Sequence, residues 1–279
     1  MKLTVLVDNN TLIDRYFCGE PGVSYLIECE EAKILFDVGY SDLFIRNARS
    51  MGIYLLDVDY IVLSHGHLDH TWGLDPLLRM HTEANIESIS RKKPTLVAHP
   101  YALLPRFING IGQIGVFIDP ERLEGIIDVH LSSEPVWLTK KLVFLGQIPG
   151  ANDFERRLPI GKLSMPGDLI DDEIMDDSAI VYCGKDGLVI ITGCSHSGIC
   201  NIIEKAIQVC NDERIVDVIG GLHLMNPPED RIRRTAEYLG QLGLQALHAC
   251  HCTDLMSKMR LGEVAPLKEV GVGLQLDYE

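Results

Sequence analysis

The hydrophobic positions fall in short runs, each stopped by glycine, proline or a polar loop. Residues 3–8 and 23–37 are rich in β-branched and aliphatic side chains and read as strands. The loop between them, over 11–22, ends in Cys18-Gly19-Glu20-Pro21-Gly22. The run Val58-Asp59-Tyr60-Ile61-Val62-Leu63 predicts a buried strand. Helices are expected over 41–51 and 71–79, and 94–98 returns as a strand ending at His99. Residues 101–121 are apolar and punctuated by glycine, which suits packing on the edge of a core or a lid over a cleft. Short β-like runs follow over 122–147, with His130 as a structural residue, and the proline- and glycine-rich stretch 148–167 reads as a long loop. The strand, loop, helix rhythm then recurs. Strands are expected over 188–192, 215–221 and 244–247, and helices over 199–209 and 229–242, the last opened by Pro227-Pro228. No linker composition divides the chain, so the pattern implies one α/β domain over 1–279 with two similar halves, roughly 1–147 and 148–279.

Composition narrows the class. With 279 residues, 46% hydrophobic and 23% charged, the chain can bury a sizeable core. A net charge of −15 disfavours nucleic acid as a partner, because a polyanion is repelled over most of such a surface. Cations gather at Arg156-Arg157 with Lys162, and at Arg231, Arg233 and Arg234. The second group reads as the solvated face of a helix; Arg156 and Arg157 are the candidates to meet a small anionic substrate. No apolar run is long enough to cross a bilayer, so no membrane partner is expected, and residues 1–8 read as a first strand rather than a signal peptide. Cys250 and Cys252 are too close to pair comfortably, and the other cysteines lack disulfide spacing, so reduced thiols in the cytoplasm are expected. A homo-oligomer is compatible with all of this.

The candidate chemistry sits at strand ends. Directly after 58–63 comes Ser64-His65-Gly66-His67-Leu68-Asp69-His70, with three histidines and one carboxylate in six residues. Imidazole and carboxylate are the ligands zinc and its neighbours prefer. His65 and His67 can reach one ion, while Asp69 and His70, offset round the turn at Gly66, can face a second. Asp37 closes an earlier strand and can orient a ligand histidine through its other ring nitrogen, or else cap the helix over 41–51. Three later strands deliver Cys194 with His196, then His223, then His248, His251 and Cys252.

The H-x-H-x-D-H motif after an apolar strand resembles the metallo-β-lactamase superfamily. The stretches 22–28, 35–39, 64–73, 98–100, 148–149, 154–155, 176–177, 192–198, 220–224 and 251–253 resemble its branch of metal-dependent hydrolases that includes archaeal dihydropteroate-synthase-like enzymes. That resemblance implies a four-layer αβ/βα sandwich with its metal site at the rim between two sheets. It implies two divalent transition metals, zinc first, with iron or manganese as alternatives. His65 and His67 match ligands of the first metal, and Asp69, His70 and His251 those of the second, with Asp69 also near the chemistry. Cys194 stands in Thr-Gly-Cys where a bridging aspartate is expected. The third histidine of the first metal lacks a counterpart between His70 and Val189, a place His196 can fill. His223 matches the position of a proton-transferring group, His99 borders the cleft as a substrate-facing or structural residue, and Asp176-Asp177 approach the site. The implied reactions are hydrolysis of a phosphate ester, or condensation of a dihydropterin diphosphate with an aminobenzene. The alternatives are a phosphodiesterase or nuclease of the same superfamily, or a non-catalytic, metal-containing ligand sensor.

Overall fold

Alternation inside the strands sorts the apolar side chains into three layers, as a computed structural model describing residues 1–123 and 125–279 makes visible. Tyr25 and Ile27, Ile34 and Phe36 point to the same inner layer as Phe144, Ile180, Tyr182, Val189 and Ile191. Their neighbours Leu26 and Leu35 point outward onto Leu43, Phe44, Leu74 and Leu77, while Val181 and Ile190 face Ile202, Ile203 and Leu239. Strands buried on both faces read as unbroken apolar runs, which is why they were legible without strict alternation. Helices Leu43–Ser50 and Leu74–Ile86 thus cover one sheet, and Ile199–Cys210, Glu229–Gln241 and Leu255–Gly262 the other. The result is the expected helix–sheet–sheet–helix stack.

The first sheet orders its strands Gln275–Asp277, Lys2–Val7, Ser24–Cys29, Ala32–Phe36, Tyr60–Val62, Thr95–Ala98 and Asp128–Leu131. The second runs Ala246–Cys250, Ile215–Gly221, Leu188–Thr192, Ala179–Cys183, Leu142–Phe144 and Val136–Trp137. A division of the chain at 147 therefore does not follow the sheets. Residues 136–144 pair into the second sheet, and the last strand returns to Lys2–Val7.

A third sheet was not expected. It joins Asp168–Asp171, Lys162–Met165, Arg106–Ile108 and Gly112–Gln113, so the glycine-punctuated stretch and part of the predicted loop 148–167 pair with each other. We call it the cap sheet. Elsewhere Leu188–Thr192, Ile215–Gly221 and Ala246–Cys250 are parallel, as are Ala32–Phe36, Tyr60–Val62 and Thr95–Ala98, so their carboxyl ends meet at one rim.

Candidate metal centre

Several strand ends at this rim turn abruptly. Asp37, Ser195, His223 and His251 all take φ between 49° and 60°, a left-handed conformation uncommon outside glycine, and all four stand at strand ends on this rim. Where two of the loops cross, the backbone must be bare. A Cβ on Gly193 would lie 2.1 Å from Ser64 Oγ and 2.9 Å from Asp37 Oδ2.

These turns bring the ligand atoms together. The donor atoms of His65, Cys194 and His196 lie within 4.8 Å of one another, and so do those of His70, Cys194 and His251. Cys194 belongs to both groups, and its sulfur is 3.2 Å from His70 Nε2. His67 joins the first group, with Nδ1 3.0 Å from His65 Nε2 and its ring against that of His196. Asp69 joins the second, 3.3 Å from His251 Nε2 and 3.6 Å from His70 Nε2. His196, supplied by the cysteine loop, thus lies beside His65 and His67.

Outer partners fix several of these rings. Asp37 is fully buried and accepts from Ser64 N and Ser64 Oγ, both at 2.7 Å, and pairs with His70 Nδ1 at 2.6 Å. It does not cap a helix: the helix begins at Leu43, with Asp42 in the cap position. Ser64 Oγ is 2.9 Å from His65 Nδ1. Asn9 Oδ1 is 2.9 Å from His251 Nδ1, and Asp8 accepts the His251 N–H at 3.0 Å. Such carboxylate and amide partners choose the tautomer of a ligating imidazole.

The electrostatics divide the site in two. Burial, reinforced by the neighbouring histidines, holds His65 and His196 well below the ordinary imidazole range. Burial, with Arg106 behind it, brings His67 down to about 4. Burial also pulls on His70, but Asp69 and Asp37 outweigh it and raise the ring to about 9. Burial pushes Asp69 up, yet His70 and His251 hold its carboxyl well below the usual carboxylate range. The Cys194 thiol is pushed well up by burial.

This donor set fits divalent transition metals. His67 Nε2, His196 Nε2 and His223 Nδ1 are buried without a hydrogen-bond partner among the described residues, an arrangement that is costly unless something else engages them. Neutral imidazoles, a shared thiol and a carboxylate are what zinc or iron would take.

The group opens into a cavity of about 370 Å³. His67, Asp69, Cys194, His196, His223 and His251 line its floor, with Cys252 and Asn9 at the side. Pro21, Leu68, Ile108, Ile114, Ile160 and Met225 form its walls; Ile108 ends one cap-sheet strand and Ile114 directly follows another. A wider groove of about 500 Å³ along Tyr40, Trp72 and Phe117 holds none of the clustered ligands.

Several expected site residues lie elsewhere. His99 is buried; its Nδ1 accepts the Tyr101 N–H at 3.1 Å, and its Nε2 is 3.3 Å from Gln147 Oε1, so it braces a turn and does not line the cavity. Arg156 is exposed, and Arg157 donates to Ile148 O and Ser197 Oγ, so neither lines the cavity. Among the described residues no arginine or lysine does. His248 pairs with Asp217 at 2.7 Å, away from the ligands. His130, which the sequence marked as structural and not as a site residue, is exposed on the edge strand Asp128–Leu131. Sequence reasoning passed over Asn9 and Asp8, although Asp8-Asn9-Asn10 is a polar cluster at a strand end like the others. It also passed over Arg106, whose signal was a charge inside an apolar stretch, which must be paired if buried.

Comparison with known proteins agrees with this fold. A metal-dependent hydrolase of the beta-lactamase superfamily superposes with a TM-score of 0.80 at 28% identity, covering 99% of this chain and 98% of that one. The 7,8-dihydropterin-6-methyl-4-(beta-D-ribofuranosyl)-aminobenzene-5'-phosphate synthase of Methanocaldococcus jannaschii is 30% identical over 267 residues, 92% of this chain and 89% of its own. An uncharacterized protein of the same organism is 29% identical over 265 residues, 94% of each chain. The sequence profile of the Metallo-beta-lactamase superfamily matches residues 19–204, from the loop before the second strand into the helix after Cys194. With its layers, its H-x-H-x-D-H loop and that match in agreement, the chain belongs to the metallo-β-lactamase superfamily.

Proposed function

We propose that this protein is a metal-dependent transferase that joins a dihydropterin diphosphate to an aminobenzene derivative at a dinuclear centre. The observation that carries the reading is the pair of ligand groups sharing Cys194 on the floor of an otherwise apolar cavity. With no arginine or lysine among the described lining residues, the charged end of a substrate has the metal centre as its partner. The synthase of similar sequence supports the choice of substrates.

His65, His67 and His196 would hold one ion and Asp69, His70 and His251 the other, with Cys194 between them. Zinc or iron bound there would supply Lewis-acid stabilisation of developing negative charge. In the condensation the amine attacks the pterin methylene carbon, the carbon–oxygen bond to diphosphate breaks, and the diphosphate leaves with the electron pair. The amine must then lose a proton. His223 lines the cavity and its Nδ1 has no hydrogen-bond partner among the described residues, which supports it as the group that takes this proton. Ile108, Ile114 and Ile160 seat the flat rings and exclude water.

The test is direct. Metal-loaded protein given a hydroxymethyl-dihydropterin diphosphate and an aminobenzene should yield the coupled product by mass spectrometry, and His223→Ala should slow coupling by about 10²-fold or more. A second reading, hydrolysis, is favoured by the structural relative described as a hydrolase. Rapid cleavage of an activated phosphodiester with no coupling would establish it and overturn the transferase.

Metal uptake should depend on pH. A ligating imidazole is neutral and a ligating thiol deprotonated, so loading near neutral pH expels a proton from His70 and draws on that of Cys194. Affinity should therefore rise about a hundredfold per pH unit while both protons are displaced, easing to about tenfold as pH passes about 9 and only the thiol proton remains. Titration against a competing chelator between about pH 6.5 and 8.5 reads this, and a flat profile would contradict the placing of His70 among the ligands.

A further inference from the structure

Arg106 is fully buried on the first strand of the cap sheet. Its Nε donates to Asp172 at 2.6 Å and its Nη2 to Asp176 at 2.5 Å. The other oxygen of Asp176 accepts the N–H of Gly66 at 2.8 Å, the peptide between His65 and His67. Gly66 is pressed directly on the guanidinium, since a Cβ there would lie 1.8 Å from Arg106 Nη1 and 2.4 Å from Ala102 O. Two further bonds tie the same pieces: Leu68 N to Ile114 O and Trp72 Nε1 to Gly115 O, both at 2.8 Å.

We infer that Arg106 is a positioning residue for the metal loop, making the cap sheet and the pair His65 and His67 one mechanical unit. The inference rests on the metal-centre reading above. A planar guanidinium reaches two carboxylates at fixed angles, which an ammonium group cannot do. Stability alone does not explain such a network, because buried ion pairs are commonly replaced by apolar groups without loss. What the network does supply is a fixed peptide at Gly66, and with it the spacing of the two imidazoles on either side. It also ties that spacing to Ile108 and Ile114, the cavity walls carried next to Arg106, so the wall over a substrate and the ligands beneath it move together.

Cobalt titration of the whole chain tests this, read by visible absorption and calorimetry. Wild type should take two ions. Arg106→Lys should bind one of them about ten- to a hundredfold more weakly while keeping the thiolate-to-cobalt band of the ion at Cys194, His70 and His251. Asp176→Asn should show the same selective loss. Two ions bound by both variants with wild-type affinity would overturn the role of Arg106 alone, as would equal weakening of both ions in step with a lowered melting temperature. If Arg106→Lys fails to fold, Asp176→Asn and Asp172→Asn decide by the same criteria. A wild type that takes up no cobalt would overturn the metal centre and the inference together.

Discussion

Replacing Cys194 by alanine should strip both metal positions, the largest loss expected of any single substitution in this protein. Its sulfur belongs to both ligand groups, and no other side chain among the described residues is shared between them. Removing even an outer partner of a metal ligand commonly costs ten- to a hundredfold in affinity, so losing a shared ligand should cost each ion more than about a hundredfold. The fold should survive, because Cys194 is a small buried side chain at a strand end and its loss should cost only about 1 kcal/mol. Elemental analysis beside a thermal melt separates the two effects: metal content should collapse while the melting temperature of the metal-free protein barely moves. Cys194→Asp should regain two ions with a preference moved from zinc toward manganese, since a carboxylate is a harder ligand than a thiolate. Full zinc content in the alanine variant would show the sulfur to be packing and nothing more.

The layers and the ligand loops were legible for one physical reason. A strand covered on both faces is a continuous apolar run, and where it stops the next residues stand at the rim. Runs ending at Leu63, Thr192 and Gly221 therefore announced the loops bearing His65 to His70, Cys194 with His196, and His223, and the run 244–247, which the structure carries on to Cys250, announced the one bearing His251. The cap sheet gave no such signal. Asp168–Asp171 is exposed throughout, and Arg106–Ile108 is a three-residue strand that pairs with Lys162 and Leu163 from a distant stretch of chain. Short exposed strands carry little burial pattern, so their pairing is decided by tertiary contacts. The sheet membership of Val136–Trp137 and Gln275–Asp277 was hidden likewise, because both are short edge strands. The arginines misled in the other direction. Arg156 and Arg157 drew attention by charge alone, whereas Arg106 matters because burial forces it to be paired.

Asp37 offers the sharpest separation of architecture from chemistry. Its carboxylate is fully buried in a left-handed turn and serves Ser64 N, Ser64 Oγ and His70 Nδ1. Asp37→Ala leaves Ser64 N and His70 Nδ1 without an acceptor and Ser64 Oγ with only His65 Nδ1 beside it, at about 1–3 kcal/mol for each lost bond where no water replaces it, so a loss on the order of 3–5 kcal/mol is expected by chemical denaturation. Asp37→Asn is the more telling variant. Asparagine tolerates the left-handed conformation, and its amide oxygen can still accept from Ser64, so most of that stability should remain. What it cannot restore is the charge beside His70. In the metal-free wild type the acids raise His70 to about 9, so their contribution is complete below the ordinary imidazole value of about 6.5 and is lost as pH rises through 9. In Asp37→Asn that alkaline loss should shrink, leaving Asp69 as the remaining acid, and metal affinity should fall about ten- to a hundredfold because the ring is no longer held by a carboxylate. A variant that kept wild-type metal affinity and the wild-type alkaline profile would reduce Asp37 to a structural acceptor for Ser64, and His70 would then owe its orientation to packing alone.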